Sequence, residues 1–203
     1  MAVDEWLAST AEMPMLRIYQ WQGEWGSIGY FGKIAAAQAA FPEINWVRRW
    51  TGGGTVDHRV DWTYTLVAPA GSRIVGMRGA ESYRLIHSTL AEVLQAEGLN
   101  VRLSSGADQT GAALCFQNPV GHDLVDAAGR KMAGAGQRRT SGGLLHQGSV
   151  AAPCHGEDAA RRAERFAMLL AEAWQIVELQ PPQVWIEEKI HGRYGNASWT
   201  HRR

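Results

Sequence analysis

The sequence predicts an α+β fold in which a mixed, largely antiparallel β-sheet is flanked by helices. Short apolar segments of strand-like composition follow one another as neighbouring hairpins, as at residues 112–150, with glycine-containing turns between them. Segments with helical periodicity lie between the hairpins, and their apolar faces need a sheet to pack against. A chain of 203 residues can bury a full core. We therefore expect one domain over residues 1–203, with a loose tail at 192–203.

Two long helices are predicted from apolar residues at helical spacing. The first spans residues 81–97 and ends before Gly98, which stands where a C-terminal cap belongs. The second spans residues 157–177. Its buried stripe is predicted to comprise Phe166, Leu169, Leu170, Ala173 and Val177. After the pair Pro181–Pro182, residues 183–190 are predicted to form a strand.

Charge and cysteine content exclude several classes of protein. Lys+Arg and Asp+Glu number 20 each, so neither nucleic-acid binding nor a membrane-surface role is expected. Cys115 and Cys154 are too few for a disulfide framework and form no C-x-x-C pair, which favours a reduced, cytoplasmic setting without a metal site. Residues 1–13 lack the features of a signal peptide, and no run reaches the ~18 apolar residues of a membrane span. We expect a soluble protein.

The stretch RRWTGGGTVDH at residues 48–58 lies between two β-prone segments, 44–47 and 62–67. Consecutive glycines follow backbone paths barred to residues with a Cβ, and they let a ligand lie against the main chain. Arg48 and Arg49 carry planar charged forks suited to phosphate or carboxylate. Taken alone, the stretch favours a turn between two strands, because the Gly-Lys-Ser/Thr of a P-loop is absent.

Three stretches together resemble the lipoate–protein ligase and octanoyltransferase family. Residues 48–58 are similar to its Arg-Arg-x-Ser/Thr-Gly-Gly-x-x-Val-x-His loop. Residues 129–139, GRKMAGAGQRR, followed by LHQGS at 145–149, are similar to its Gly-Arg-Lys-x-x-Gly-x-x-Gln-x-Arg and His-x-Gly segments. Residues 27–31, SIGYF, match its early Leu-Gly-Tyr-Phe strand. The order and spacing of these stretches agree with those of the family.

The resemblance implies the fold of the biotin and lipoyl ligase catalytic domains and the modification of one lysine on small lipoyl-carrier domains. The implied acceptors are the glycine-cleavage H protein and the E2 subunits of dehydrogenases, and acyl carrier protein is a possible donor. Ligases of the family activate the free acid with ATP, whereas its transferases hold the acyl group as a cysteine thioester. Our leading prediction is an octanoyl or lipoyl transferase with no obligatory cofactor.

The cysteine-dependent branch implies a nucleophile in a Cys-Phe or Cys-Pro segment shortly before the lysine strand, and Cys115 with Phe116 occupies that position. A thiolate attacks an acyl thioester readily. The ammonium of Lys131 would favour the thiolate and stabilise the negative charge that develops on the acyl carbonyl. Cys154 is a lesser candidate nucleophile. The residues expected to bind the acyl group or its donor are Arg48, Arg49, Thr51, Gly52, Gly53, Gly54, His58, Gly134, His146 and Gly148.

Two alternatives stay open. Gly54 completes a triple glycine more typical of the family's ligases, which favours an ATP-dependent lipoate–protein ligase that uses ATP and Mg and works with a separate accessory chain. The third reading is a non-catalytic binder of lipoyl domains or acyl carriers, because Asp57 is unusual in this loop.

Overall fold

The computed structural model describes residues 1–106 and 118–202. Its helices are α1 (Ala2–Thr10), α2 (Ile34–Ala40), α3 (Arg73–Gly76), α4 (Gly79–Ala96), α5 (Gly156–Leu170), α6 (Gln183–Lys189) and α7 (Ala197–Thr200), with a π-helical turn at Ile190–Tyr194. Its strands are β1 (Met15–Tyr19), β2 (Trp25–Ile28), β3 (Asn45–Arg48), β4 (Thr55–Asp57), β5 (Trp62–Pro69), β6 (Val101–Leu103), β7 (Leu124–Asp126), β8 (Lys131–Thr140) and β9 (Gly143–Val150).

The strands form two sheets. The larger sheet has the order β1-β5-β9-β8-β7-β6, and every neighbouring pair is antiparallel. The smaller sheet has the order β3-β2-β4, in which β2 is parallel to β3 and antiparallel to β4. The predicted mixed, largely antiparallel architecture with flanking helices is therefore confirmed.

Helices α4 and α5 cover one face of the larger sheet and enclose the main core. Side chains alternate between the faces of a strand, so Trp62, Tyr64 and Leu66 of β5 point into this core. The predicted apolar face of α4 is confirmed, since Ile86 and Leu90 are fully buried there. The other face of the larger sheet meets α1 in a smaller apolar cluster. The polar residues on this face of the sheet surround the candidate site.

The glycine stretch does not form a simple hairpin. It connects β3 to β4, which do not pair with each other but lie on the two sides of β2. The chain then crosses to β5 in the larger sheet. The loop is therefore held at the junction of the two sheets.

The predicted second long helix is too long. Helix α5 ends at Leu170, and Phe166 is its fully buried apolar residue, whereas Leu169 and Val177 are about half exposed. Residues 171–178 are all exposed. A continued helix would have no apolar surface to cover, and amphipathic helices owe most of their stability to such packing.

The strand predicted after the proline pair is instead helix α6. Residues 185, 186 and 189 are half-buried while Val184 is 69% exposed, a burial pattern with helical spacing. The Gln183 side chain also donates to Glu187, one helical turn later, at 2.8 Å. The segment packs against α1, and tertiary packing of this kind overrides a short apolar sequence pattern.

The tail expected to be loose also has defined structure. Helix α7 follows the π-helical turn, and the Asn196 side chain accepts a hydrogen bond from the Ser198 N–H at its start. No helix in the described part of the chain is long and apolar enough to cross a membrane.

Candidate active site

The glycine loop, residues 51–54, packs directly on strand β8. A Cβ atom on Gly136 would overlap the carbonyl oxygen of Gly52, so this backbone contact requires glycine at position 136. Gly53 has a φ of +95°, in the region that favours glycine. The loop is therefore part of the interface between the two sheets.

Arg49 holds the loop from the side of the smaller sheet. Its Nη2 donates to the carbonyl oxygens of Gly52 at 3.2 Å and Gly54 at 2.8 Å. Its Nη1 donates to Oγ of Ser27 at 2.7 Å. Because the side chain is only 5% exposed, these charge-assisted bonds are shielded from water. Arg49 therefore determines the shape of the loop.

His58 continues the network behind Arg49. Its Nε2 lies 2.6 Å from Oγ of Ser27, and its Nδ1 lies 2.7 Å from Oδ2 of Asp61. The Asp61 carboxylate can only accept, so the ring proton is on Nδ1, facing Asp61, and Nε2 of the neutral ring accepts from the Ser27 hydroxyl. Burial lowers the pKa of His58 despite the nearby carboxylate, which agrees with a neutral ring. Oγ of Ser149 donates to the same Asp61 oxygen at 2.5 Å.

Arg48 is a structural residue. Its guanidinium is 1% exposed and donates to backbone carbonyl oxygens at 2.8 to 3.1 Å. The acceptors are Gly29, Tyr30, Gly32, Trp199, Thr200 and Arg202. All five N–H groups of an arginine side chain are thus directed at main chain. The expectation that Arg48 binds a ligand phosphate is wrong, because its donors already join the turn after β2 to the C-terminal segment.

Lys131 begins β8, and its side chain is 2% exposed. Nζ lies 2.7 Å from Oδ2 of Asp123, whose side chain is fully buried. The hydroxyl of Tyr83 on α4 donates to the other Asp123 oxygen at 2.5 Å and accepts from the N–H of Ala135 at 2.9 Å. Gly134 leaves room for the ammonium, since a Cβ there would overlap Cε and Nζ of Lys131. The charge is therefore held at a defined place.

Lys131 lines a narrow pocket between the larger sheet and the glycine loop. Its cavity volume is about 20 Å³, comparable with one water molecule. The lining residues are Met1, Tyr19, Arg49, Gly53, Val56, His58, Thr63, Lys131, Gly134, Ala135, Gly136, Gln147, Gly148 and Ser149. Of the residues predicted from the sequence, the pocket brings together Arg49, Gly53, His58, Lys131, Gly134 and Gly148.

Three predicted residues support the pocket wall without lining it. Thr51 is fully buried, and its hydroxyl donates to Oε1 of Gln147 on β9 at 2.8 Å. The carbonyl oxygens of Gly52 and Gly54 accept from the guanidinium behind the loop. Oδ2 of Asp4 in turn accepts from Nε2 of Gln147 at 2.8 Å. The loop is thus bonded to β9 and through it to α1.

His146 lies on the opposite face of β9, inside the main core. Its Nε2 is 3.1 Å from the hydroxyl of Tyr64, and its Nδ1 is 3.1 Å from Nε2 of Gln137. Burial, together with the charge of nearby His87, lowers its pKa well below the ordinary value. The expectation that His146 lines the pocket is wrong, because residues 146 and 147 of a strand point to opposite faces.

The two cysteines differ in what the structure can say of them. Cys115 lies outside the described residues. Cys154 is partly buried in a groove of about 400 Å³ beside α5, and burial raises the pKa of its thiol. Arg162 in this groove is paired with Glu97 at 2.6 Å. The groove is larger than the Lys131 pocket but holds none of the glycine-loop residues, so we place the site at Lys131.

The sequence did not reveal the carboxylates that organise the site. Asp61 follows His58 by three residues and Asp123 precedes Lys131 by eight, and these spacings could have pointed to both pairs. Asp4 and Tyr83 carried no such signal, because helix packing brings them to the sheet. In the two described ranges, no group of three or more His, Cys, Asp or Glu side chains is placed to hold a metal ion.

Comparison with known proteins gives consistent results. Residues 1–167 match the sequence model of the lipoyl protein ligase A/B catalytic domain. The octanoyltransferase LipM of Brevibacillus brevis is 33% identical over 166 residues, which cover 74% of this chain and 60% of that protein. The octanoyltransferase LipM of Kyrpidia tusciae is 34% identical over 169 residues, with the same coverage. The chain thus spans about 60% of the length of these curated relatives.

A solved structure has a similar fold. The bipartite lipoate protein ligase of Thermoplasma acidophilum, studied with its E2 lipoyl domain, superposes with a TM-score of 0.73 at 18% identity. The superposition covers 98% of this chain and 89% of that one.

Proposed function

Because the chain belongs to the lipoyl protein ligase A/B catalytic-domain family, we propose that it transfers an octanoyl or lipoyl group to a lysine of lipoyl-carrier domains through a cysteine thioester. The observation that carries this proposal is Lys131, a buried ammonium 2.7 Å from Asp123 that lines a pocket beside the glycine loop. Relatives named octanoyltransferases favour transfer over ATP-dependent ligation.

In the proposed first step, the thiolate of Cys115 attacks the carbonyl carbon of a carrier-bound acyl thioester. A new C–S bond forms, the bond to the donor sulfur breaks, and the donor thiolate takes up a proton. In the second step, the lysine amine of the acceptor attacks the acyl-cysteine, an amide forms, and the Cys115 thiolate is released while the amine loses a proton. Both steps pass through an oxyanion, and we propose the Lys131 ammonium as the hydrogen-bond donor that stabilises it.

Asp123 and Tyr83 position Lys131 in this mechanism. A preorganised donor stabilises developing charge without paying for reorganisation in the transition state. The glycine loop, shaped by Arg49 and His58, forms the wall along which the acyl chain would lie. With a cavity volume of about 20 Å³, the pocket must widen to admit an eight-carbon chain.

The test is intact-mass analysis after incubation with octanoylated acyl carrier protein. The wild-type chain should gain the mass of one octanoyl group, and Cys115→Ser should gain none. Cys154→Ser is the matched control and should be modified like the wild type. Full transfer activity in Cys115→Ser would contradict the thioester mechanism.

The ligase alternative is favoured by one observation, the triple glycine at residues 52–54. It predicts pyrophosphate release that depends on lipoate, ATP and Mg and is unaffected by Cys115→Ser. The absence of such release, with an accessory chain added, would eliminate it. A non-catalytic binder would instead bind carriers tightly and turn over neither donor.

The partners we propose are the glycine-cleavage H protein and E2 lipoyl domains as acceptors, with acyl carrier protein as a donor. The proposed location is the cytoplasm. The reaction as written needs no cofactor, and ATP and Mg enter only with the ligase alternative.

A further inference from the structure

The C-terminal segment forms a surface beside the glycine loop. Arg48 holds this segment by donating from Nε to the carbonyl oxygen of Trp199 at 3.1 Å and from Nη2 to those of Thr200 and Arg202, both at 2.9 Å. The indole of Trp199 donates back to the carbonyl oxygen of Arg48 at 3.0 Å. This part of the chain follows the family-matched residues 1–167.

Three arginines and three aromatic rings alternate there in a closed cycle, which we call the arginine–aromatic patch. Each guanidinium lies near two rings, and each ring near two guanidiniums. Going round, the distances from guanidinium carbon to ring centroid are Arg138–Trp50 4.2 Å, Trp50–Arg193 5.6 Å, Arg193–Trp199 4.6 Å, Trp199–Arg202 4.9 Å, Arg202–Tyr30 4.4 Å and Tyr30–Arg138 5.4 Å. All lie within the ~6 Å range of cation–π attraction. The rings thus hold three positive charges in place.

Only one of the three patch arginines has an acidic partner among the described residues. Arg193 pairs with Glu5 at 2.6 Å, and Glu5 also pairs with Lys189 at 2.9 Å. In residues 1–106 and 118–202, Arg138 and Arg202 form no ion pair.

The patch is close to the proposed chemistry. Gly134, Gly136 and Arg138 alternate along β8, so their side-chain positions share the face that meets the glycine loop. At ~3.3 Å per residue, Arg138 lies roughly 13 Å along the strand from Gly134. Gly134 is the residue that lies next to the Lys131 ammonium. A protein docked on the patch could therefore deliver an extended arm to the pocket.

We propose that the arginine–aromatic patch binds an acidic face of the carrier protein that delivers the acyl thioester. The proposal rests on the proposed function. A ring separates each guanidinium from the next, so a single phosphate cannot reach all three, whereas carboxylates spread over a protein surface can. Planar guanidiniums pair with carboxylates in bidentate geometry. The chain has 20 residues of each charge sign, so its net charge does not attract an acidic partner. Recognition of such a partner therefore depends on a local positive patch.

The test measures binding of unacylated acyl carrier protein to the full chain. The double variant Arg138→Gln with Arg202→Gln should weaken binding about tenfold or more, because charge complementarity at a docking surface governs encounter and affinity. Arg165→Gln, an exposed arginine on α5, is the matched control and should change affinity less than about twofold. Raising the salt from about 0.05 M to about 0.3 M should weaken binding of the wild type. It should also reduce the difference in affinity between the wild type and the double variant.

A second assay distinguishes a role of the patch in docking from a purely structural role. S-octanoyl-N-acetylcysteamine offers the same thioester without a protein surface, so the double variant should accept its octanoyl group at the wild-type rate. Equal loss with both donors would assign the patch a purely structural role and overturn the proposal, as would unchanged carrier binding. Tighter binding of a single-stranded oligonucleotide than of carrier would also overturn it. If neither donor acylates the wild type, the proposed function is wrong. The binding and salt measurements would still show whether the patch binds the carrier.

Discussion

Nζ of Lys131 lies 2.7 Å from Oδ2 of Asp123, and the two side chains are 2% and 0% exposed. A buried pair of this kind costs desolvation energy, and removal of either member leaves an uncompensated charge. The pair lies at the end of a relay that includes Tyr83 and the N–H of Ala135. It therefore ties the proposed catalytic charge to both the sheet and α4.

Asp123→Asn is expected to lower acyl transfer roughly 100-fold, because the ammonium would lose the group that positions it. It should also reduce the free energy of unfolding by about 3–5 kcal/mol, since the Lys131 charge stays buried. Single-turnover acylation and urea unfolding measure the two effects. The double variant with Lys131→Met should recover stability without activity. A single variant as stable and as active as the wild type would refute the assigned role.

Tyr83→Phe is expected to cost about 1–3 kcal/mol of stability, because the Ala135 N–H and one Asp123 oxygen lose their partner. It should also lower the rate of transfer, since Tyr83 holds the Asp123 carboxylate that positions Lys131. Tyr64→Phe, which loses a hydrogen bond to His146 in the core, is the control. It should lower stability and leave the transfer rate of the folded protein unchanged. Equal transfer rates for both variants would separate Tyr83 from the chemistry.

Gly136→Ala is expected to displace the glycine loop, because the added methyl group would overlap the backbone of Gly52 and not a movable side chain. We expect a stability loss of about 1–3 kcal/mol and strongly reduced transfer. Gly52→Ala is the matched control, since no atom lies within 4 Å of the added methyl and the residue does not have a positive φ. Thermal unfolding and acylation assays compare them. If the two variants had equal unfolding temperatures and equal acylation rates, the contact between Gly136 and the loop would not matter for stability or transfer.

Arg48→Lys is expected to release the C-terminal segment. An ammonium has three donors and no planar fork, so it cannot satisfy the six carbonyl oxygens that Arg48 reaches. Amide hydrogen exchange should become faster at residues 197–202. Helix α4 contains none of the Arg48 acceptors, so its exchange serves as the internal reference and should stay slow. Unchanged exchange at the C-terminal segment would contradict this role.

Stability is expected to fall as the pH drops from about 6.5 towards 4. Burial lowers the pKa of His87 from 6.5 to about 4. In that window the unfolded chain binds a proton at His87 that the folded chain does not, so folding loses about 1.4 kcal/mol per pH unit. His146 acts in the same direction. Urea unfolding at several pH values measures the slope, which His87→Gln should reduce. An unchanged slope would exclude His87 as its source.

Local sequence was enough to predict most of the elements and several parts of the site. Helix α4 follows from its apolar periodicity, and strands β8 and β9 follow from the turn residues that bound them. The glycine loop and Lys131 were identified from residue types at fixed spacing. Six of the predicted residues line one pocket, and the roles assigned to them, like the role of Cys115, stay predictions.

What the tertiary structure decided was which partners distant residues acquire. Arg48 and Arg49 are neighbours with the same charge, yet Arg48 joins the C-terminal segment while Arg49 shapes the glycine loop. Arg48 ends β3 and Arg49 follows it directly, and successive side chains of extended backbone point to opposite faces. The same alternation placed His146 in the core. The end of α5 and the helical form of α6 depend on the surfaces available for packing, which local sequence does not contain. Residue types and spacing therefore determined the candidates, and long-range packing determined which of them meet at Lys131.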